Sequence, residues 1–239
     1  MSEMYVVRHG QASFLSEDYD ALSDRGREQM SLLAENWTEK GLSFDSVFVG
    51  PRKRHAQSFE ALREGYDSKG QSLVRAQVLQ GLDEYPVDQY LVPEAWERNR
   101  GLDELRPLRD AYQSAEELTE KQRSFHRLFS SIGRKWIAGE LIDENVKTWG
   151  SFRRSVVEAF HAMTSATGNG RSILVISSAG TIGTLFQLAV DCSDEKALEV
   201  GWRIRNASYT KFLFDESRVN LDLFNVMDHL SDETMRTFR

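Results

Sequence analysis

Cysteine is almost absent from this sequence of 239 residues, and Cys192 stands alone. A single cysteine excludes a disulfide within the chain, and such usage is typical of the reducing cytosol. Long apolar runs are also lacking, because none approaches the length of a membrane span. The chain enters its first predicted strand without a basic and then apolar leader. We therefore expect a soluble, cytoplasmic protein with no membrane partner and a chemically inert Cys192.

Positive charge is in short supply. The sequence has 30 Lys and Arg residues against 37 Asp and Glu residues, a net charge of −7. This balance argues against nucleic acid as the main partner, and a small anionic substrate would need a local basic pocket. The usual metal-binding patterns, such as HExxH, an aspartate ladder or a cysteine cluster, are missing as well. The sequence therefore contains no familiar pattern of a metal site.

The chain opens with a short apolar run, Met4 to Val7, that stops at Arg8, His9 and Gly10. Such a run ended by a glycine predicts a buried strand that delivers its last side chains to the rim of a sheet. In open α/β sheets, ligands bind at that rim. Arg8 offers a fork of donors suited to phosphate or carboxylate, and His9 can be a nucleophile near physiological pH. For these residues alone, a solvated arginine and an ordinary loop histidine are the alternative.

A second predicted strand, Ser46 to Val49, also ends in positive charge. Gly50-Pro51 interrupts it, and the run Arg52-Lys53-Arg54-His55 then opens a helix that continues to about Glu64. Because two strand ends carry matching charge, a basic pocket is better supported than by either end alone.

The remaining pattern predicts an α/β fold with a mostly parallel central sheet flanked by helices. The predicted elements are a helix capped by Ser23 with the apolar stripe Met30, Leu33, Ala34 and Trp37, a third strand over residues 73–79, a helix capped by Ser151, the clearest strand at Ser172–Ser177, a helix over 181–188, and a strand pair over 207–214 and 219–226. Backbone N–H groups where the 172–177 strand meets the next helix are a candidate anion site. The tail after Asp228 is expected to fray.

Residues 88–150 differ from the rest because they are highly charged and contain no convincing strand. Phe125, Phe129, Ile132 and Trp136 fall at helical spacing and predict one long amphipathic helix. We expect a single domain over residues 1–239 in which this segment is a helical insertion over the active-site end of the sheet. A helical layer that flanks the sheet is the alternative.

Four short patterns follow one another in a familiar order, namely Arg8-His9-Gly10, Leu22-Ser23 with Gly26 and Gln29, Pro51 with Arg54, and Leu82 with Glu84. In these the chain resembles the histidine phosphatase superfamily, also called the phosphoglycerate mutase-like family. The resemblance implies phosphoryl transfer through a phosphohistidine at His9, without a metal. It implies that Arg8 and Arg54 clamp the phosphoryl oxygens, and that Glu84 protonates the leaving alkoxide and later activates water.

Two departures from the family pattern weaken the expected pocket. Members commonly carry a second histidine after the late strand, where this chain has Ser178. A hydroxyl can bind phosphate but brings no charge, which forfeits about 1–2 kcal/mol. The loop over residues 11–15 also lacks the T-x-x-N of many members.

The other histidines have ordinary interpretations. His55 is expected on the solvated surface, His126 and His161 on helix surfaces, and His229 in the tail. Any of the first three is also a candidate to replace the missing histidine in space. Asp83 is expected to be a solvated neighbour of Glu84.

The leading hypothesis is a cofactor-independent phosphatase acting on a small phosphomonoester, with activity lowered by Ser178. A phosphate-binding or regulatory module of the same fold is the second hypothesis, and a phosphomutase ranks last. The expected partner is a small phosphorylated substrate or phosphate, and a homodimer is left open. The substrate cannot be identified, because specificity would lie in the insertion.

Overall fold

The computed structural model describes residues 1–13, 20–165, 170–215 and 218–238. Phe14 and Leu15, which belong to the loop predicted to depart from the family pattern, lie outside the described residues. The chain divides into two compact units. The sheet unit comprises Met1–Glu84 and Ser155–Arg239, and the helical unit comprises Tyr85–Arg154.

The strands and helices follow one another along the chain as a mixed α/β pattern. Their bounds are β1 Ser2–Arg8, α1 Asp24–Glu39, β2 Ser46–Val49, α2 Lys53–Ser68, β3 Ala76–Val78, α3 Pro93–Arg98, α4 Arg106–Ser114, α5 Leu118–Ile137, α6 Trp149–Ser165, β4 Ser172–Ser177, α7 Ala179–Val190, α8 Asp194–Gly201, β5 Tyr209–Phe214 and β6 Val219–Val226. Short 3-10 helices occupy Gln80–Leu82, Pro86–Tyr90, Arg100–Leu105 and Glu233–Met235. No helix within the described ranges is long and apolar enough to cross a membrane.

The sheet has the strand order β3-β2-β4-β1-β5-β6. The first four of these strands run parallel, and β5 pairs antiparallel with both β1 and β6. The predicted α/β fold with a mostly parallel sheet is therefore confirmed. In the register, Val49 of β2 and Val7 of β1 both pair with Ile176 of β4. The carboxyl ends of three neighbouring strands thus lie at one edge.

One face of the sheet is covered by α1 and α2, which pack against each other. The predicted stripe of α1 lies in this core, together with alternate residues of the central strands such as Val7, Val47 and Leu174. The intervening residues Met4 and Val6 point to the other face, as the period of two in a strand requires, and are also fully buried. Burial of both faces explains why these strands are continuously apolar.

Two predictions about local structure are wrong. The helix predicted to be capped by Ser151 already begins at Trp149, and Thr148 Oγ1 accepts the Ser151 N–H at 3.2 Å, so threonine provides the cap. The described part of the tail does not fray, because Gln29 Nε2 donates to the Met235 carbonyl at 2.6 Å. Within this tail His229 is buried, and burial lowers its pKa to about 4. The third strand predicted within residues 73–79 is present but is only three residues long.

The helical unit is held together by an aromatic cluster. Tyr85 contacts the rings of Phe129, Trp136 and Phe152 at centroid distances of 6.0–6.2 Å. The long amphipathic helix predicted here is α5, and its four predicted core residues are buried. Residues 85–154 contain no strand.

Candidate active site

The predicted site begins where β1 and β4 end. Beyond the strands, the His9 N–H still donates to the Ser177 carbonyl at 2.9 Å, and the Gly50 N–H donates to the Ile176 carbonyl at 2.9 Å. The residues that follow β1, β2 and β4 are therefore held side by side. His9, the start of α2 and Ser178 come together because the register of the sheet puts them there.

The imidazole of His9 is fixed in one tautomer. Its Nδ1 lies 2.7 Å from the Gly10 carbonyl oxygen, and its Nε2 lies 3.1 Å from Nε of Arg54. Because a carbonyl can only accept and a guanidinium can only donate, the ring proton is on Nδ1 and the lone pair is on Nε2. Burial, together with the nearby charges of Arg54 and Arg8, holds the pKa of His9 well below its ordinary value. His9 is thus neutral at physiological pH.

The loop that carries His9 is held against α1 by two glycines. A Cβ on Gly10 would collide with the Gly26 carbonyl, and a Cβ on Gly26 would collide with the Gln11 carbonyl. Ser23 caps α1 and also donates from Oγ to the Gln11 carbonyl at 2.9 Å, while Gln29 Oε1 accepts the Gln11 N–H at 2.8 Å. The surface that holds this loop is therefore formed by the residues of one predicted pattern, namely Leu22, Ser23, Gly26 and Gln29.

Arg54 links several residues of the site. It lies in the first turn of α2, and its Nη1 forms an ion pair with Asp20 Oδ1 at 2.6 Å. Its Nε donates to His9, and its Nη2 lies 3.4 Å from Ser178 Oγ. Asp20 also accepts the Lys53 N–H at 2.8 Å, so it fixes the start of α2. Asp20 was missed by the sequence analysis, where the only available signal was an acid in a loop that precedes a basic cluster.

Arg8 is buried at the end of β1 and donates from Nη1 to the Ile204 carbonyl at 2.5 Å. Its charge is close enough to His9 to contribute to the lowered pKa of that imidazole. The site therefore has two guanidinium groups near one neutral histidine, an arrangement suited to binding an anion.

Ser178 is fully buried and has a partner that the sequence interpretation placed elsewhere. His55 Nε2 lies 2.7 Å from Ser178 Oγ. The prediction of a solvated His55 is wrong, because the residue is 0% exposed and its ring centroid lies 5.7 Å from that of His9. Burial and the charges of Arg54 and Arg52 hold the pKa of His55 well below its ordinary value. A second neutral imidazole therefore belongs to the site.

Glu84 is held at the start of α7. Its Oε1 accepts the Gly180 N–H at 2.8 Å, so the candidate anion site at this helix N-terminus is bound by a carboxylate of the chain itself. The loop before it is fixed by Ser177 Oγ, which donates to the Leu82 carbonyl at 2.7 Å. Asp83 is more than a solvated neighbour, because its Oδ1 pairs with Arg52 at 2.6 Å and accepts the Glu84 N–H at 2.7 Å. The part of the chain that the structure describes contains no cluster of three metal-ligating side chains.

A sequence model of the histidine phosphatase superfamily, branch 1, matches residues 4–227. The chain belongs to that superfamily. None of the curated protein sequences compared with this chain matches it.

Solved structures share the fold of this chain over nearly its whole length. A mutant phosphoserine phosphatase from Entamoeba histolytica in complex with phosphoserine has a TM-score of 0.62 at 14% identity, covering 96% of this chain and 100% of that one. Alpha-ribazole phosphatase from Shigella flexneri has a TM-score of 0.59 at 15% identity, with coverage of 94% and 96%. Phosphoglycerate mutase from Bacillus anthracis has a TM-score of 0.61 at 14% identity, with coverage of 96% and 95%.

The sequence-predicted residues of this chain all lie in the sheet unit. Arg54 contacts both His9 and Ser178, and Glu84 binds the backbone two residues after Ser178. Three further residues, Asp20, His55 and Asp83, hold these groups in place, and none of them belongs to the patterns on which the resemblance was based.

Proposed function

We propose that this chain is a phosphatase that hydrolyses a small phosphomonoester through a phosphohistidine at His9. The observation that supports this proposal most directly is the state of the imidazole. A neutral ring with its lone pair on Nε2, beside the guanidinium of Arg54, has the features of a nucleophile for phosphorus. The two arginines supply positive charge where charge builds up on the transferred group.

In the first half of the proposed reaction, Nε2 of His9 forms a bond to phosphorus and the ester P–O bond breaks. The departing oxygen takes a proton from Glu84. Arg54 Nε, which donates to His9 in this structure, then exchanges that acceptor for a phosphoryl oxygen. The ion pair with Asp20 involves a different nitrogen of Arg54, so it can persist through this exchange.

In the second half, a water molecule attacks phosphorus and the N–P bond breaks. Glu84, now a carboxylate, takes the proton of that water, and His9 regains its lone pair. The hydrogen bond from the Gly180 N–H keeps Oε1 of Glu84 in place, so the proton moves on and off the other carboxylate oxygen. Inorganic phosphate and an alcohol are the products.

The proposed substrate class is a phosphate monoester of a small molecule. Phosphoserine phosphatase and alpha-ribazole phosphatase share this fold, and their names describe enzymes that act on such esters. Which ester this chain hydrolyses is a separate question, and low activity is part of the proposal because Ser178 brings no charge.

A phosphate-binding module is the second candidate, and Ser178 is the specific observation that favours it. Such a module would bind inorganic phosphate at the same residues without forming a covalent adduct. The two candidates differ in whether His9 becomes phosphorylated.

The test is to mix the protein with an aryl phosphate labelled in its phosphoryl group and to quench in base. We expect an adduct that is stable in base, labile in acid and located by peptide mapping on His9. His9→Ala should abolish both the adduct and turnover. His161→Ala is the matched control, because His161 is an exposed histidine of α6.

A labelled residue other than His9, or turnover undiminished in His9→Ala, would reject the mechanism. Saturable phosphate binding without label or turnover would support the binding module instead.

A further inference from the structure

The C-terminal tail is bonded to two side chains that hold the loop of His9. Gln29 of α1 donates from Nε2 to the Met235 carbonyl at 2.6 Å and to Thr237 Oγ1 at 3.0 Å. On the other side of the same hydroxyl lies Asn206, whose Oδ1 is 3.0 Å from Thr237 Oγ1 and whose N–H donates to the Thr237 carbonyl at 2.9 Å. The hydroxyl of Thr237 thus joins two side-chain amides, and both of these amide residues are fully buried.

We propose that Thr237 is a positioning residue for His9, because its hydroxyl joins the two amides that hold the peptide groups on either side of Gly10. This inference rests on the function proposed above, in which His9 is the nucleophile. Gln29 Oε1 accepts the Gln11 N–H at 2.8 Å, and Asn206 Nδ2 donates to the His9 carbonyl at 3.3 Å. Thr237 acts on His9 only through these two amides.

Each hydrogen bond in this series has one possible direction. The Gln11 N–H can only donate and the His9 carbonyl can only accept, so they determine which way each side-chain amide points. Gln29 therefore turns its NH2 group to Thr237, and Asn206 turns its carbonyl oxygen there. The Thr237 oxygen accepts from the first amide, and its hydrogen is donated to the second. Because one group must both accept and donate, valine cannot replace threonine here despite its similar shape.

The peptide group between Gly10 and Gln11 connects this network to the imidazole. The peptide is trans and planar, so its N–H and C=O point in opposite directions and turn together. Gln29 holds the Gln11 N–H, and the Gly10 carbonyl of the same peptide is the group that lies 2.7 Å from His9 Nδ1. A Gln29 amide that is free to rotate would therefore let this carbonyl turn away from the imidazole.

Other bonds limit how far the loop can move when the hydroxyl is lost. The His9 carbonyl also accepts the Ala207 N–H at 3.2 Å, and the Gly10 N–H donates to Ser58 Oγ at 3.0 Å. Removing the Thr237 hydroxyl leaves each of the two buried amides one partner short, which favours local opening of the loop about tenfold. The expected result is a loop that is less precisely held, in a protein that stays folded.

The test compares Thr237→Val with Thr237→Ser by amide hydrogen exchange and by the rate at which an aryl phosphate labels His9. We expect Thr237→Val to speed exchange of the Gln11 amide about tenfold. Labelling should slow about tenfold, because a nucleophile that is slightly misplaced reacts more slowly, while the affinity for inorganic phosphate changes less than about twofold. Thr237→Ser keeps the hydroxyl and should restore both values. Thr234→Val is the matched control, because Thr234 is an exposed threonine of the same tail.

A second amide distinguishes positioning from a general loss of stability. Val175 is fully buried in the central strand β4, so its exchange reports on the stability of the sheet. Equal acceleration at Val175 and Gln11, unchanged exchange at Gln11, or no recovery in Thr237→Ser would overturn the proposal. Thr237→Ala removes the same hydroxyl in a smaller side chain, and it should give the same pattern should Thr237→Val fail to fold.

These measurements separate the two proposals. If the wild-type protein forms no adduct on His9, the proposed function fails. The inference about Thr237 is then decided by hydrogen exchange alone, where selective acceleration at Gln11 supports it and unchanged or uniform exchange rejects it.

Discussion

The two sides of the candidate site differ in how they meet an anion. On one side, the end of β1 and the start of α2 supply two guanidinium groups and an imidazole in a fixed tautomer. On the other side, the end of β4 and the start of α7 supply the hydroxyl of Ser178. The N–H of Gly180, in the first turn of α7, is already bound by Glu84. The site thus has a charged side and a neutral side. If the proposed function is right, charge stabilisation comes almost wholly from the first.

The largest effect should come from removing charge on the charged side. We expect Arg54→Ala to lower kcat/KM for an aryl phosphate by roughly 10²–10³-fold, as for the loss of one preorganised donor. Arg63→Ala is the matched control, since Arg63 lies on the same helix in exposed pairs with Glu60 and Asp67. A loss of kcat/KM no greater than that of the control would show that the charged side does not provide the rate enhancement.

The same variant has a second readout in the pH profile. Arg54 is one of the charges that hold down the pKa of His9, and in the proposed function the neutral form of His9 is the nucleophile. The rate is therefore lost as the pH falls through the pKa of His9. Without Arg54 that pKa rises, so the acid limb of kcat/KM should move to higher pH. An unmoved limb would mean that another group governs it.

An intermediate effect is expected on the neutral side, at Glu84. Glu84→Gln keeps an oxygen for the Gly180 N–H but removes the transferable proton. Alkyl phosphates, which have poor leaving groups, should then slow by about 10²-fold or more, while aryl phosphates should slow far less at the bond-breaking step. The two substrate classes are each other's control. Equal slowing would assign Glu84 a structural role.

The smallest effect should come from the residue that holds the charged side in place. Asp20 pairs with Arg54 but is about one-third exposed, so the ion pair stabilises the position of Arg54 by only about 1 kcal/mol. Asp20→Ala should lower kcat/KM by roughly fivefold, the equivalent of that energy. Asp20→Asn, which keeps an acceptor oxygen, should recover most of it. If both variants match the wild type, Arg54 does not need Asp20 for its orientation.

The difference between the two sides also explains what the sequence could reveal. The residues of the charged side could be predicted because they belong to short sequence patterns directly after continuously apolar strands. The strands β2 and β4 have the predicted bounds. His55 and Asp20 could not be placed in the same way. Whether His55 is buried or solvated depends on how α2 packs, and a loop residue such as Asp20 has no periodicity.

The tail shows the same limit from another direction. The polar composition of the tail does not indicate order. The tail is ordered because Gln29 of α1 bonds to Met235 and Thr237, and Gln29 was predicted only as part of the α1 pattern. Contacts between segments distant in sequence determine such features, and local pattern does not contain them.

The contact between Gly10 and Gly26 has a consequence for how much sequence variation the molecule can absorb. Each glycine faces backbone atoms of the other segment, which cannot step aside as the end of a long side chain can. The Gly10 carbonyl is also the acceptor that fixes the tautomer of His9. A methyl group added at either glycine is itself unreactive, but it would disturb the loop that carries this carbonyl. It would therefore affect which nitrogen of His9 carries the ring proton. In a library of random substitutions these two positions would be as intolerant as the residues that carry the functional groups.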